Sequence, residues 1–172
     1  TAVVAAVRPL GGAVAGLEPV WAIIIIGGRA LGASFGFVLG AIGILGSAVL
    51  TGGIGPWLPF QMLVAAWVGA GAGLLPKLTG KKEIILLATY GFVVGFAAGL
   101  LLNLWFWPFA VGPTTSISYD STAPFAQNFA SFLAYSLASS TLTWDTVRAV
   151  STSVAIALLA KPFIATLKRY KF

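Results

Sequence analysis

The sequence predicts an all-α integral membrane protein: a compact bundle of about six transmembrane helices forming a single domain over residues 1–172. Two observations favour this class. The chain is 59% apolar and only 8% charged, whereas ordinary soluble domains carry roughly 25% charged residues. Its apolar residues also gather in uninterrupted runs near the length of about 20 residues that a helix needs to cross the hydrocarbon core.

The helices are predicted from these runs in order along the chain. Three runs carry no charge: Leu31–Leu50, Pro59–Leu75 and Ile84–Phe106. A fourth extends from about Asp145 to Leu167 and holds Lys161 close enough to its end for the ammonium group to reach water. Two weaker spans come first, from Thr1 to about Ala15 and from Pro19 to about Ala30.

The positive residues orient the bundle, because Lys and Arg prefer the cytoplasmic ends of membrane spans. If the N-terminus is cytoplasmic, only Arg8 and Arg148 of the ten Lys and Arg residues lie toward the outside. We therefore expect both termini in the cytoplasm and a multi-pass protein of the bacterial plasma membrane. The net charge of +6 forms no single patch, which argues against a nucleic-acid partner.

The long outer connection, residues 107–144, divides into two parts. Its beginning is polar and rich in turn-forming residues, whereas Phe125, Phe129 and Phe132 follow helical spacing. Residues 125–142 therefore predict an amphipathic helix on the outer surface or an outward extension of the last helix. The connection is either a lid over a binding site or a solvated link.

Small residues recur at every fourth position in three of the predicted spans. Such rows let helix backbones approach closely, and packing within the chain is their simplest explanation. The rows are Gly32, Gly36 and Gly40; Ala65, Gly69 and Gly73; and Gly91, Gly95 and Gly99.

Polar residues near the outer ends of the spans are the candidate site, because intramembrane polar groups are costly. Asp145 and Arg148 share a helical face with Thr152. Asp145 and Arg148 form either a local ion pair at the start of the helix or the floor of a pocket. Asn103 and Trp107 continue the row of Gly99. An Asn in hydrocarbon needs a partner helix or a ligand, while Trp107 suits either the pocket or the interfacial aromatic belt.

The segment Thr51–Met62 combines glycines and prolines with Trp57, Phe60 and Gln61. Irregular backbone at membrane depth is tolerated where it is buried or lines a cavity, although a capped turn with an interfacial Trp is the alternative. Such a pocket suits a neutral or zwitterionic, partly aromatic solute. Glu18 and Arg8 flank the first outer connection and could pair or contact solute. The predicted solute-binding residues are Trp57, Phe60, Gln61, Asn103, Trp107, Asp145 and Arg148.

The sequence contains few of the residue types that usually carry out catalysis. The chain has no His and no Cys, and its four acidic residues are not paired at acid–base spacing, so we expect no enzyme activity, no metal and no cofactor. A small membrane enzyme acting on lipid or prenyl substrates is one alternative. A non-transporting assembly subunit or a channel is another, although a channel needs a continuous polar stripe.

The chain resembles the substrate-binding S components of energy-coupling-factor (ECF) vitamin importers. The resemblance covers nearly the whole chain and is carried by the residues from Gly52 to Met62 (GGIGPWLPFQM) with Trp67–Leu75, by Gly28-Arg29 with Gly36-Phe37, and by Trp144–Arg148 (WDTVR). It is similar to a bacterial branch often labelled as transporters of cobalamin or a cobalamin precursor.

The resemblance implies a function and partners. An S component binds a vitamin with its outer loops and outer helix halves, docks on a transmembrane T component driven by two ATPases, and topples to release the solute inside. Docking in the family uses an Ala-x-x-x-Ala pattern on the first helix, which Ala2 and Ala6 match. The implied partners are therefore a vitamin-like solute, a T component, two ATP-binding cassette ATPases and the lipid bilayer.

Overall fold

The computed structural model describes residues 2–7, 17–112 and 115–169, and within these ranges every regular element is helical. A π-helical segment, Leu137–Asp145, lies between the last two α-helices. The α-helices are α1 Ala2–Val7, α2 Val20–Leu31, α3 Ala33–Thr51, α4 Leu58–Leu74, α5 Lys81–Ala110, α6 Phe125–Ser136 and α7 Thr146–Arg169.

Three helical stretches are long and apolar enough to cross a membrane: α3, α5 and the continuous stretch Phe125–Arg169. The helices α2 and α4 are apolar but shorter. These lengths suggest a multi-pass membrane protein. The stretch Phe125–Arg169 is continuous from α6 to α7, so residues 125–142 form part of the same helical stretch as α7 and not a separate surface helix. Of the predicted first span, the structure describes only Ala2–Val7; the rest lies outside the described residues.

Glycines bring α2, α3 and α4 into direct backbone contact. The helices α2 and α3 are joined by the single residue Gly32, whose φ of 104° is one that side chains other than glycine rarely adopt. Gly28 lies four residues before Gly32 and Gly36 four residues after it, and both lie against the carbonyl group of Gly69 on α4. A Cβ atom on Gly28, Gly36 or Gly69 would overlap backbone atoms of the facing helix. The glycine rows therefore serve packing within the chain.

The row on α5 packs along α7 in the same way. Gly91 faces Ile156 and Thr152, Gly95 faces the backbone of Ala149, and Gly99 faces the carboxylate of Asp145. Small residues on one helix thus leave space for the polar residues at the start of the other.

One end of the bundle is tied together by Arg29, the basic residue in the last turn of α2. Its Nε atom donates to Glu83 Oε1 at 2.9 Å, and its terminal nitrogens donate to the carbonyl groups of Leu75 and Pro76 at 2.8 and 3.0 Å. Lys168 Nζ lies 4.0 Å from the same Glu83 oxygen. The ends of α2 and α4 therefore meet the start of α5 and the end of α7.

The short helix α1 lies against α3. Val4 and Ala5 are buried there, opposite Gly43 and Gly46 respectively. Ala2 and Ala6 are exposed on the other side of α1, so neither methyl group is buried by the described part of the chain.

Candidate functional site

Two carboxylates hold Arg148 at the end of the bundle opposite Arg29. Its Nη1 atom lies 2.6 Å from Asp145 Oδ1, and its Nε atom lies 2.9 Å from Glu18 Oε2. A longer hydrogen bond of 3.4 Å runs from Nη1 to the carbonyl oxygen of Gly95. The Asp145 side chain is 1% exposed and that of Arg148 is 8% exposed, so this ion pair is removed from solvent.

Hydrogen bonds extend the ion pair across four helical elements. Ser140 donates to Asp145 Oδ2 at 2.8 Å, and Asn103 Nδ2 donates to the Ser140 hydroxyl at 2.8 Å. On the other side, Trp21 Nε1 of α2 donates to the Glu18 carboxylate. Both oxygens of Asp145 are thereby engaged, and the network links α2 and the residue Glu18 before it with α5, the π-helical segment and α7.

The π-helical segment explains how Ser140 reaches Asp145. The two residues are five apart, which on an α-helix with 100° per residue would separate them by about 140° around the axis. A π-helix pairs residues five apart along its axis, so Ser140 and Asp145 face the same side. Rare π-helical turns of this kind occur frequently at functional sites.

The network borders a cavity of about 260 Å³. Beside it is a smaller cavity of about 50 Å³, and Leu102 lines both. The larger cavity is lined by Gly99, Leu102, Asn103, Ser139, Ser140, Trp144, Asp145 and Arg148. The smaller is lined by Glu18, Val20, Trp21, Ile44, Gln61 and Leu102. The Arg148–Glu18 ion pair therefore joins a wall of one cavity to a wall of the other.

The structure brings together some of the residues predicted to bind solute and separates others. Asn103, Asp145 and Arg148 line the larger cavity, and Gln61 lines the smaller one. Trp57 and Phe60 line neither; their rings instead pack against Phe106 and Trp105 of α5, with centroids 6.3 and 5.6 Å apart respectively.

Trp107 is buried under the outer connection and does not line the larger cavity. Its Nε1 atom donates to the carbonyl group of Ile117 at 2.7 Å, and its ring contacts Tyr119 and Phe132. Trp107 therefore anchors the connection to the bundle. Because these contacts bury the Trp107 ring, Trp107 is not an exposed residue of the interfacial aromatic belt.

Side-chain hydrogen bonds also order the outer connection. Asn128 of α6 accepts from the backbone nitrogen of Asp120 and donates to its carbonyl oxygen, and Ser131 donates to the carbonyl oxygen of Ser116. A hydrogen bond from the Thr122 side chain lowers the pKa of the exposed Asp120 carboxyl below its usual value. Of the described residues of this connection, Ser139, Ser140 and Trp144 at its π-helical end line the larger cavity and those before Ser139 do not. The role of a lid remains a prediction.

Several site residues were missed from the sequence. The sequence predicts that Glu18 and Arg8 pair or contact solute; Arg8 lies outside the described residues, and the structure pairs Glu18 with Arg148. Local periodicity gives no signal for this pair, because the two residues are 130 apart along the chain. Ser139, Ser140 and Trp144 were overlooked because 3.6-residue periodicity places them incorrectly within a π-helical segment.

The arrangement can bind a small molecule through an ion pair, hydrogen bonds and an aromatic wall. Within the described residues, no group of three or more His, Cys, Asp or Glu could hold a metal ion. Comparison with known proteins gives no further guide, because no family model, no curated protein and no solved structure matches the chain.

Proposed function

We propose that the chain is the solute-binding S component of an ECF-type importer, and that it takes up a vitamin or a related small micronutrient. The observation that carries the proposal is the cavity at the start of α7, where Asn103, Asp145 and Arg148 converge within an otherwise apolar helical bundle. Ligand sites typically combine apolar walls with a few placed polar groups. Charged residues within membrane helices are rare and commonly mark solute pathways.

The distribution of charge supports an outward-facing cavity. Lys77, Lys81, Lys82 and Lys168 are exposed near the end that Arg29 ties together, and the cavity is near the opposite end. Under the positive-inside rule the first of these ends is cytoplasmic. This orientation, with six spans and both termini on the cytoplasmic side of the bacterial plasma membrane, belongs to the proposal.

The size of the cavity bears on the solute. A volume of about 260 Å³ is just below the roughly 300–1,000 Å³ of typical ligand pockets. It suits a small micronutrient better than a corrinoid such as cobalamin.

Energy for uptake would come from partner chains. In this proposal Ala2 and Ala6 dock on a T component that two ATPases drive. Their exposure on α1, with Val4 and Ala5 buried behind them, leaves a small-residue surface available to another helix.

Native mass spectrometry of the chain purified in detergent tests the proposal. We expect a co-purified small molecule, and Asn103→Ala should weaken its retention about 10-fold, because a lost hydrogen bond of about 1.4 kcal/mol changes affinity by that factor. Gln127→Ala is the matched control, since this amide is exposed on α6. The proposal is contradicted if the wild-type chain retains no solute and binds no vitamin. It is also contradicted if Asn103→Ala retains the solute as well as the wild type does.

A further inference from the structure

The charged side chains that line the two cavities do not balance one another. Among the described residues that line the two cavities, Asp145 and Glu18 are acidic and Arg148 is the sole cation, which leaves a formal charge of −1. On this basis we propose that the solute carries a positive charge, which is placed in the larger cavity near Asp145 and Trp144. The inference rests on the proposed function, because it specifies the chemistry of the same site.

The geometry makes the excess charge costly in the empty site. Arg148 lies between the two carboxylates, at 2.6 and 2.9 Å, and can neutralise only one of them. Asp145 is almost completely buried, and the Glu18 side chain is 28% exposed. A charge in a medium of low dielectric is unfavourable unless it is paired. A cation in the cavity would bring the local charge to zero, whereas an anion would bring it to −2.

The walls of the larger cavity fit an organic cation. Trp144 contributes an aromatic ring, and aromatic faces attract ammonium groups within about 6 Å. Asn103 and Ser139 add polar atoms, and Leu102 adds an apolar surface. The volume of about 260 Å³ favours a compact cationic molecule, such as one with a protonated amine or a quaternary nitrogen beside a small ring.

Three probes of similar shape and different charge test the inference. Choline, 3,3-dimethyl-1-butanol and 3,3-dimethylbutanoate have similar branched ends, and their net charges are +1, 0 and −1, with the negative charge of the last on its carboxylate. Their binding to the purified full chain can be followed by tryptophan fluorescence and by thermal unfolding. We expect choline to bind about 10-fold more tightly than the alcohol and the anion to bind most weakly. Equal affinities, tighter binding of the anion, or no saturable response to choline overturns the inference.

Charge variants connect the preference to the site. Glu18→Gln brings the local charge to zero, so the ratio of choline to alcohol affinity should fall to within about 2-fold. Asp120→Asn removes the same charge from the exposed outer connection and should leave the ratio unchanged. Arg8 lies outside the described residues, so the variant Arg8→Gln tests whether its charge contributes to the site. If the wild type shows no preference and Arg8→Gln creates one, Arg8 balances the site and the inference is wrong.

The inference and the proposed function can fail separately. Suppose that a neutral or anionic molecule co-purifies with the wild type and is lost from Asn103→Ala. The inference of a cationic solute is then wrong, whereas the proposed function as an importer subunit stands. A chain that retains no molecule and binds no vitamin contradicts the proposed function, whatever the probes show.

Discussion

Arg148 joins α7 to the residues before α2 through Glu18, and it contacts Asp145 within its own turn. Arg148→Ala should destabilise the protein by about 3–5 kcal/mol, because it leaves the Asp145 carboxylate buried without its cation. The free energy of unfolding in mixed detergent measures this loss. Arg169→Ala is the control, since this side chain is exposed and its removal should change stability by no more than about 0.5 kcal/mol.

A double variant tests the cause of that loss. Adding Asp145→Asn to Arg148→Ala removes the buried charge, so part of the lost stability should return. If the double variant is as unstable as the sum of the two single variants, the buried charge is not what makes Arg148 important.

Gly99 leaves space for the Asp145 carboxylate, and a Cβ atom at this position would overlap it. Gly99→Ala should cost about 1–3 kcal/mol through overpacking and should weaken solute retention, because the carboxylate has to move. Gly112→Ala is a matched control, since a Cβ atom there has nothing within 4 Å. Thermal unfolding and native mass spectrometry measure the two effects, and equal behaviour of the two variants would contradict this packing argument.

Single residues also show which parts of the candidate site the sequence can predict. Asn103, Asp145 and Arg148 stand out because polar groups are rare in these spans, and the structure places all three around one cavity. The ion pair of Arg148 with Asp145 is predicted from the sequence, but its second partner is not, because Glu18 lies 130 residues away along the chain. Local periodicity carries no information about such pairs.

Among the helical elements, the π-helical segment Leu137–Asp145 has the clearest link to the site. Inserting one alanine after the exposed Leu142 places Ser140 six residues before Asp145, a spacing that neither an α-helix nor a π-helix aligns on one side. The insertion should therefore turn Ser140 away from Asp145 and lower solute affinity about 10-fold, as expected for losing a charge-assisted hydrogen bond.

The matched control for this insertion is Leu142→Ala, which shortens the side chain and keeps the register. Circular dichroism should show similar helix content in both variants, while native mass spectrometry should show loss of solute from the insertion variant alone. Full retention of solute by the insertion variant would separate the π-helical geometry from binding.

The helical elements were predicted more fully than the site. Helices are observed at Leu58–Leu74, where Pro59–Leu75 was expected, and at Val20–Leu31, where Pro19–Ala30 was expected, because uninterrupted apolar runs favour such helices. The expected span Ile84–Phe106 is longer in the structure, Lys81–Ala110, because the helix continues through charged residues at one end and through Pro108 at the other. The π-helical register had no signal in the hydrophobic pattern.

At the scale of the whole molecule, α1 presents exposed Ala2 and Ala6 on one side and buries Ala5 against α3. Ala6→Trp should prevent co-purification with a T component, because a bulky side chain blocks close helix approach. Solute binding by the isolated chain should persist, since Ala6 lines neither cavity.

Ala5→Trp is the informative comparison for this test. Ala5 is 5% exposed, so the larger ring should destabilise the isolated chain by about 1–3 kcal/mol. If Ala6→Trp destabilises the chain to the same extent, its surface belongs to the internal packing. If Ala6→Trp assembles normally, α1 is not the docking helix.

The position of α2 has a consequence for the electric field across the membrane. The helix has 12 residues and is therefore about 18 Å long, against a hydrocarbon core of about 30 Å. Glu18 precedes its start and Arg29 lies in its last turn, and each is held by a charge from another helix. If polar groups and water reach both ends of α2, the insulating layer there is about 18 Å thick, against roughly 30 Å for the surrounding hydrocarbon. The membrane potential would then fall about 1.7 times more steeply along α2 than through the surrounding lipid.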